Sequence, residues 1–251
     1  MDAHKSNRTK FVSFSGIDGS GKSTQIEGLR ACAEQAGMRV VMIRFWDDVA
    51  RLKNLRETTG HKVFKGEKGV GSPEAPVNRR DKNVRSWYMT WVRLVLYFVD
   101  AWSIRKMVKK TLRSDADLAI FDRYTYDELA NLTLSNPFIR AYVRLVMAFV
   151  PRPHISYVLD ADPVLARARK PEYPLDFLHF NRQAYLTLSR LIGGMTIIPP
   201  NPVEDVKRDV LGHAERVLAI GVVRNDAGMG LSEVGAKTAN LERAHAGSAT
   251  R

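Results

Sequence analysis

A glycine-rich segment near the N-terminus carries the residue types that bind nucleotide phosphates. It satisfies the pattern G-x-x-x-x-G-K-[ST]. In this pattern the glycines let the backbone wrap around phosphate oxygens, the lysine adds a cation at the β/γ end, and the hydroxyl binds Mg²⁺. We therefore predict that an ATP·Mg site is formed by Gly16, Asp18, Gly19, Ser20, Gly21, Lys22, Ser23 and Thr24. Lys22 is its predicted catalytic cation and Ser23 its predicted metal ligand.

The neighbouring sequence supports this prediction. The segment follows an apolar run at Lys10 to Phe14 that is typical of a strand, and it opens a helical pattern at Lys22 to Ala36. A phosphate-binding loop requires a strand before it and a helix N-terminus after it, because the exposed backbone N–H groups attract negative charge. A glycine-rich turn without a ligand would not need this context.

A second candidate site follows another apolar run, Leu118 to Phe121. The next three residues are Asp122, Arg123 and Tyr124. A carboxylate at the carboxyl end of a parallel strand can hold the water shell of Mg²⁺ or orient a phosphoryl acceptor, and an arginine can bind phosphate in a fork. We predict Asp122 as a catalytic and metal-binding residue and Arg123 as a catalytic and substrate-binding residue. A simple surface Asp–Arg pair is the alternative.

Short apolar runs alternate with helical patterns along the chain. This alternation predicts a three-layer α/β fold of the P-loop NTPase type, with a five-stranded parallel sheet flanked by helices. The predicted strands are Lys10 to Phe14, Arg39 to Phe45, Leu118 to Phe121, Ile155 to Leu159 and Met195 to Ile198. The predicted helices are Lys22 to Ala36, Asn83 to Leu112, Tyr126 to Val150, Pro163 to Arg169, Asp176 to Ile192 and Val203 to Ile220.

The domain organisation follows from composition. We predict one kinase domain over residues 10–220, with flexible tails at 1–9 and 221–251. Residues 60–82 combine glycine, proline and many basic side chains without periodicity, so they predict a mobile basic loop. A disordered insertion would explain the same composition.

The chain carries 39 Lys and Arg against 27 Asp and Glu, a net charge of +12. Such a charge favours anionic partners, whether nucleotides, nucleic acid or an acidic membrane, without choosing among them. The single cysteine, Cys32, and the absence of an apolar leader in the first ten residues favour a cytoplasmic protein. The apolar stretch from Trp87 to Ile104 contains Arg93 and Asp100, so we expect a buried helix and no membrane association.

Four sequence blocks resemble the successive blocks of the thymidylate kinase family. They are residues 11–24, Arg44-Phe45, residues 121–124 and residues 155–162, in the family's order within residues 10–220. The resemblance implies ATP-dependent phosphorylation of dTMP, or a related nucleoside monophosphate, to the diphosphate. It places Asp18 at the acceptor sugar and Asp122 and Arg123 beside the acceptor phosphate and metal. The substrate contacts that it implies are Asp18, Arg44, Tyr97, Arg123 and Tyr124.

The family also neutralises the transferring phosphoryl group with an arginine, either in the P-loop or on a lid helix. Here the P-loop position holds Gly19. The resemblance therefore implies a lid arginine, and the lid is expected near residues 163–176, where Arg167 and Arg169 occur. These positions are about 200° apart around a helix, so one of the two is expected to face the site.

Two arginines with which the family recognises its acceptor are missing. After Arg44-Phe45 the chain continues Trp46-Asp47-Asp48, and the arginine expected in the long helix is replaced by Ala101. Either basic residues of the 60–82 region and its flank compensate, or the acceptor is not dTMP. The candidates for compensation are Arg79, Arg80 and Arg85.

Two other functions remain open from the sequence. A P-loop kinase could phosphorylate the hydroxyl of a sugar, a glycan or a nucleic acid, which would explain the missing arginines. A regulatory P-loop protein could use the positive charge to bind nucleic acid, although no helix-turn-helix or RNA-binding signature is present. Thymidylate kinases are commonly dimers, so a homodimer is also an expectation of the resemblance.

Overall fold

The computed structural model describes residues 9–49 and 87–218. Their five strands form one parallel sheet in the order β2-β3-β1-β4-β5. The strands are β1 (Lys10–Ser15), β2 (Val40–Arg44), β3 (Leu118–Asp122), β4 (Ile155–Leu159) and β5 (Thr196–Ile198). The predicted five-stranded parallel sheet is thus confirmed.

Helices lie in two groups. The bounds are α1 (Lys22–Gln35), α2 (Trp87–Thr111), α3 (Thr125–Leu129), α4 (Pro137–Phe149), α5 (Pro163–Arg169), α6 (Leu175–Ile192) and α7 (Val203–Leu218). Helices α1 and α7 pack on each other, whereas α2, α3, α4 and α6 form a second packed group. The predicted helix-flanked α/β fold is confirmed.

The central strands are buried because both of their faces are covered by helices. Leu118, Ala119, Ile120 and Phe121 of β3 are all fully buried, as a continuous apolar run predicts. In the strand register Asp122 pairs with Phe14 of β1 on one side and with Arg44 of β2 on the other. The carboxyl ends of these strands therefore meet at one edge of the sheet.

One predicted helix is wrong. The pattern from Tyr126 to Val150 predicts a single helix, but the structure has α3 and α4 with a break between them. The side chain of Asn136 accepts a hydrogen bond from the N–H of Phe138 at 2.9 Å, and Pro137 occupies the first turn. An asparagine cap followed by proline starts a new helix, because proline has no N–H to donate within an earlier one.

Strand β2 ends one residue before its predicted end. Phe45 is fully buried and begins a π-helical turn, Phe45–Val49. The carboxylate of Asp48 accepts a hydrogen bond from the N–H of Arg44 at 2.7 Å. This contact closes the turn onto the strand end and fixes the direction in which the chain leaves the sheet.

Several predictions concern residues that the structure does not describe. The predicted basic loop 60–82, the predicted C-terminal tail and Arg79, Arg80 and Arg85 are not described. Of the predicted N-terminal tail only Thr9 is described; it is buried, and its hydroxyl donates to the carbonyl of Thr111 at 3.3 Å. Within residues 9–49 and 87–218, no helix has both the length and the apolar character needed to cross a bilayer.

Candidate active site

The predicted phosphate-binding loop connects β1 to α1 at the carboxyl edge of the sheet. Gly16 has φ +141°, and a Cβ there would stand 2.6 Å from the carbonyl oxygen of Leu159 on β4. Only glycine fits this approach of two backbones. Since β1 lies between β3 and β4, the loop opens into the crevice where ligands bind in open α/β sheets.

Lys22 folds back onto this loop. Its Nζ donates to the carbonyl oxygens of Gly16 and Ile17, both at 2.8 Å, and lies 3.4 Å from the Oγ of Ser20. Burial, followed by the charge of Arg123, lowers the pKa of Lys22 to about 8, although nearby carboxylates oppose the shift. An anionic phosphate would be a stronger partner for this ammonium group than neutral carbonyls.

Arg123 occupies the turn between β3 and α3. Its φ is +71°, and among residues 9–49 and 87–218 only glycines otherwise have a positive φ. Its backbone N–H donates to the carbonyl of Phe14 at 3.0 Å. The guanidinium pairs with Asp18 of the P-loop and lies 3.5 Å from Asp127. Burial lowers the pKa of Arg123, but the charges of Asp18 and Asp127 outweigh it and raise the pKa overall. A backbone in this region is costly and is held here by these contacts.

Asp127 holds this turn in place, and the sequence did not reveal it. The buried carboxylate accepts hydrogen bonds from the Ser15 hydroxyl at 2.6 Å, the Tyr124 N–H at 3.0 Å and the Tyr185 hydroxyl at 2.8 Å. It thereby joins β1, α3 and α6 beneath Arg123. Asp127 is the third residue of α3, but the cap position before this helix is Tyr124, which is not a capping residue type, so the sequence carried no capping signal.

The predicted metal ligands, Ser23 and Asp122, are suited to a Mg²⁺ ion that has phosphate oxygens as most of its other ligands. Ser23 and Thr24 are exposed on the first turn of α1, and Asp122 is half-buried at the end of β3. No cluster of three His, Cys, Asp or Glu side chains in the described parts of the chain could hold a metal ion alone. Mg²⁺ commonly uses one or two protein ligands together with phosphate oxygens and waters, which is what Ser23 and Asp122 could offer.

The predicted acceptor residues differ in accessibility. Arg44 is exposed at the end of β2, beside Asp122. Tyr97 is buried on α2 within the main hydrophobic core, and Tyr124 is fully buried with its hydroxyl donating to the Pro151 carbonyl at 2.5 Å. The substrate contacts expected of these three side chains stay predictions, and Tyr124 would have to exchange its present hydrogen bond to make one.

The predicted lid arginines lie on α5. Arg167 donates to the carbonyl of Tyr173, and the exposed Arg169 donates through Nε to the carbonyl of Leu165 at 3.2 Å. Lys170, which follows the helix, has its Nζ 3.9 Å from the carboxylate of Asp18. The catalytic role of either arginine stays a prediction.

Several known proteins are similar to this chain in sequence or in structure. A thymidylate kinase from Bifidobacterium longum is 29% identical over 190 residues, covering 71% of this chain and 83% of the relative. A probable thymidylate kinase from Pyrobaculum calidifontis is 26% identical over 222 residues, covering 83% and 97%. The thymidylate kinase structure from Ehrlichia chaffeensis superposes with a TM-score of 0.53 at 18% identity, covering 82% and 98%. No family model matches the chain.

The chain is related to the thymidylate kinases. These relatives are nucleoside-monophosphate kinases, and the structural match shows that the fold is shared. The relationship predicted from the P-loop and from Asp122 to Tyr124 is thus confirmed at modest identity.

Two departures from the thymidylate kinase pattern have a structural explanation. Asp48 follows the strand end where the family has an acceptor arginine, and its carboxylate accepts a hydrogen bond from the N–H of Arg44 and so closes the turn. Ala101 is fully buried one helical turn from Tyr97, so the position of the missing arginine belongs to the packed interior of α2.

Proposed function

We propose that the chain transfers the γ-phosphoryl group of ATP·Mg to a nucleoside monophosphate in the cytoplasm, with dTMP as the first acceptor to test. The observation that carries this proposal is the proximity of two cations, the buried Lys22 and Arg123, whose side chain is 15% exposed and whose charge lowers the pKa of Lys22. Two desolvated cations beside a phosphate-binding loop favour a site that accepts two phosphate groups.

We expect the two cations to bind different phosphate groups, those of the donor and that of the acceptor. Lys22 lies within the loop that would bind the donor, so it would hold the β/γ phosphates of ATP. Arg123 lies across from it on the turn after β3, where its guanidinium could exchange Asp18 for the acceptor phosphate. Asp18 would then be released to accept a hydrogen bond from the acceptor sugar, the role that the resemblance implies.

The chemistry requires little more than positioning and charge. The acceptor phosphate is already ionised near pH 7, so its oxygen can attack without a general base. Ser23 and Asp122 would hold Mg²⁺, which would neutralise the phosphate charge when bound. Because Lys22 is buried and the side chain of Arg123 is only 15% exposed, their interaction with the phosphates should be stronger than it would be in water.

A panel assay tests the proposal. The purified chain is incubated with ATP, Mg²⁺ and each of dTMP, dUMP, dCMP, dAMP and dGMP, and the products are separated by chromatography. We expect one nucleoside diphosphate and ADP in equal amounts, and no product from the Lys22→Ala variant. Binding of ATP without phosphorylation of any monophosphate would refute the acceptor class and favour a hydroxyl acceptor or a regulatory protein.

We also propose that two copies pair through an apolar face of α2 and α4. The expectation of a buried helix is wrong for one face of α2: the side chains of Trp91, Val95 and Trp102 are 54%, 64% and 53% exposed. On α4, Leu145 is 61% exposed. Phe98 of α2 stacks on Phe149 of α4 with ring centroids 5.4 Å apart, which joins the two helices into one surface. Apolar surface of this extent is typical of an interface, and a two-fold pair would bury the same face on both copies.

A further inference from the structure

A row of alternating charges runs from the segment after α5 across the P-loop to the turn after β3. Lys170 pairs with Glu172 at 3.1 Å and lies 3.9 Å from Asp18. Asp18 in turn pairs with Arg123, which lies 3.5 Å from Asp127. Lys170 thus brings a cation of the lid to the P-loop residue that borders the phosphate site.

The P-loop has no room for a cationic side chain at Gly19, the position where the family can have an arginine. A Cβ on Gly19 would stand 2.2 Å from the carbonyl oxygen of Ala166 in α5, and the φ of Gly19 is +82°. An arginine there would require both a strained backbone and displacement of α5. The charge that an arginine at this position would add to that of Lys22 must therefore come from outside the loop.

The lid cations differ in the contacts that the structure describes for them. The guanidinium groups of Arg167 and Arg169 donate to backbone carbonyls of the lid region, those of Tyr173 and Leu165. Lys170 instead directs its ammonium group towards Asp18, while its side chain stays 40% exposed. A flexible lysine with three donors can move a few ångströms from a carboxylate to a phosphate without disturbing the backbone.

We infer that Lys170 is the lid cation that binds the transferring phosphoryl group, in the role that arginine fills in the family; this rests on the proposed function. In the structure Glu172 and Asp18 hold its ammonium group at the mouth of the P-loop. When ATP binds, the γ-phosphate replaces Asp18 as the partner of Lys170. Asp18 then turns to the acceptor.

The phosphoryl transfer requires no proton transfer to or from the protein. An oxygen of the acceptor phosphate bonds to the γ-phosphorus while the bond from that phosphorus to the β–γ bridging oxygen breaks, and the electron pair leaves with ADP. Lys170 stays protonated throughout and stabilises charge on the oxygens of the moving group. Its contribution is electrostatic, so an arginine should replace it better than a neutral side chain.

The test separates binding of the γ-phosphate from turnover. ATP and ADP affinities are measured by calorimetry for wild type, Lys170→Met, Lys170→Arg and the control Lys109→Ala, an exposed lysine in the last turn of α2. Lys170→Met should lose most of the preference for ATP over ADP and reduce kcat by about 100-fold or more, as is usual when one charge-stabilising group is removed. Lys170→Arg should keep at least a tenth of the wild-type kcat, and Lys109→Ala should match wild type. Circular dichroism and the melting temperature check the fold of each variant.

The outcomes distinguish this inference from the proposed function. A wild type that phosphorylates a monophosphate, together with a Lys170→Met variant unchanged in both readouts, overturns the role of Lys170 and leaves the proposed function intact. A wild type that binds ATP but phosphorylates no monophosphate refutes the proposed acceptor class. In that case the ATP preference of Lys170→Met still decides whether Lys170 contacts the γ-phosphate.

Discussion

The ammonium group of Lys22 lies 2.8 Å from the carbonyl oxygen of Gly16, in the loop from which its own helix starts. The residue is 7% exposed, so this charge has lost nearly all contact with water. Neutral carbonyl oxygens compensate only part of that loss, and the neighbouring Arg123 adds repulsion. The pKa of Lys22 is therefore lowered to about 8, and a bound phosphate should raise it again.

This shift predicts that ATP binding takes up protons at alkaline pH. With a pKa of about 8, most Lys22 should be neutral above pH 8 in the free protein, whereas a bound phosphate should keep it protonated. Uptake should rise from a small value at pH 7 to about one proton at pH 9, and affinity should fall by up to about tenfold per pH unit there. Calorimetry in two buffers of different ionisation enthalpy at pH 7, 8 and 9 measures the uptake.

Proton uptake at alkaline pH is expected only if the pKa of Lys22 is lowered in the free protein. A lysine with an ordinary pKa would be charged in both the free and the bound protein at pH 9, and no protons would be taken up. Uptake that stays near zero from pH 7 to pH 9 would therefore show that Lys22 is not desolvated in the free protein. ADP serves as a second ligand, because its β-phosphate reaches the same loop.

A second prediction concerns the contact between Gly19 and α5. Gly19→Ala places a methyl group 2.2 Å from the Ala166 carbonyl, so α5 must move. Gly37→Ala is a matched control, because Gly37 has a similar φ of +78° but nothing within 4 Å of its Cβ position. Gly37→Ala should lower the free energy of unfolding by about 1 kcal/mol, the cost of a left-handed backbone at a residue with a side chain. Gly19→Ala should cost more and should also weaken ATP binding.

Urea unfolding and calorimetry measure both effects. The difference between the two variants isolates the collision with α5, because the backbone penalty is common to them. Equal unfolding free energies, together with unchanged ATP affinity, would mean that α5 does not rest on the P-loop in solution.

The P-loop and the sheet could be predicted because their signals are local in the sequence. Gly16, Gly21 and Lys22 are fixed by a short pattern, and the buried strands appear as continuous apolar runs. The break before α4 was also readable, since Asn136 and Pro137 form a standard helix start. It was missed because the apolar pattern continues across it.

Lys170 and Asp127 could not be predicted in the same way. Lys170 is one of three basic residues within four positions, and only the packing of α5 on Gly19 brings its ammonium group towards Asp18. The partners of Asp127 come from β1 and α6, 112 and 58 residues away. Such roles depend on tertiary contacts that have no counterpart in local composition.

Removing the Asp127 carboxylate should destabilise the protein strongly. Asp127→Ala leaves the hydroxyls of Ser15 and Tyr185 and the N–H of Tyr124 without their acceptor, and it removes one carboxylate from the neighbourhood of Arg123. Loss of one partner from such a buried ionic network costs about 3 to 5 kcal/mol. Urea unfolding measures the loss.

Asp205→Ala is the control for this prediction. Asp205 pairs with Arg208 at 2.6 Å on the exposed side of α7, and surface pairs contribute at most about 1 kcal/mol. A loss for Asp127→Ala no larger than that for Asp205→Ala would show that the hydrogen bonds beneath Arg123 do not contribute to the stability of the fold.

The last prediction tests the apolar face of α2. Val95→Glu introduces a charge at an exposed apolar position of that helix, where the side chain is 64% exposed. A charge buried without a partner opposes association, whereas the isolated copy tolerates it in water. Analytical ultracentrifugation should show a dimer for wild type and a monomer for Val95→Glu, with similar melting curves at low concentration. Val217→Glu, which changes an exposed valine on α7, should remain a dimer. A wild type that sediments as a monomer at every concentration, or a Val95→Glu variant that remains a dimer, would mean that this face does not join two copies.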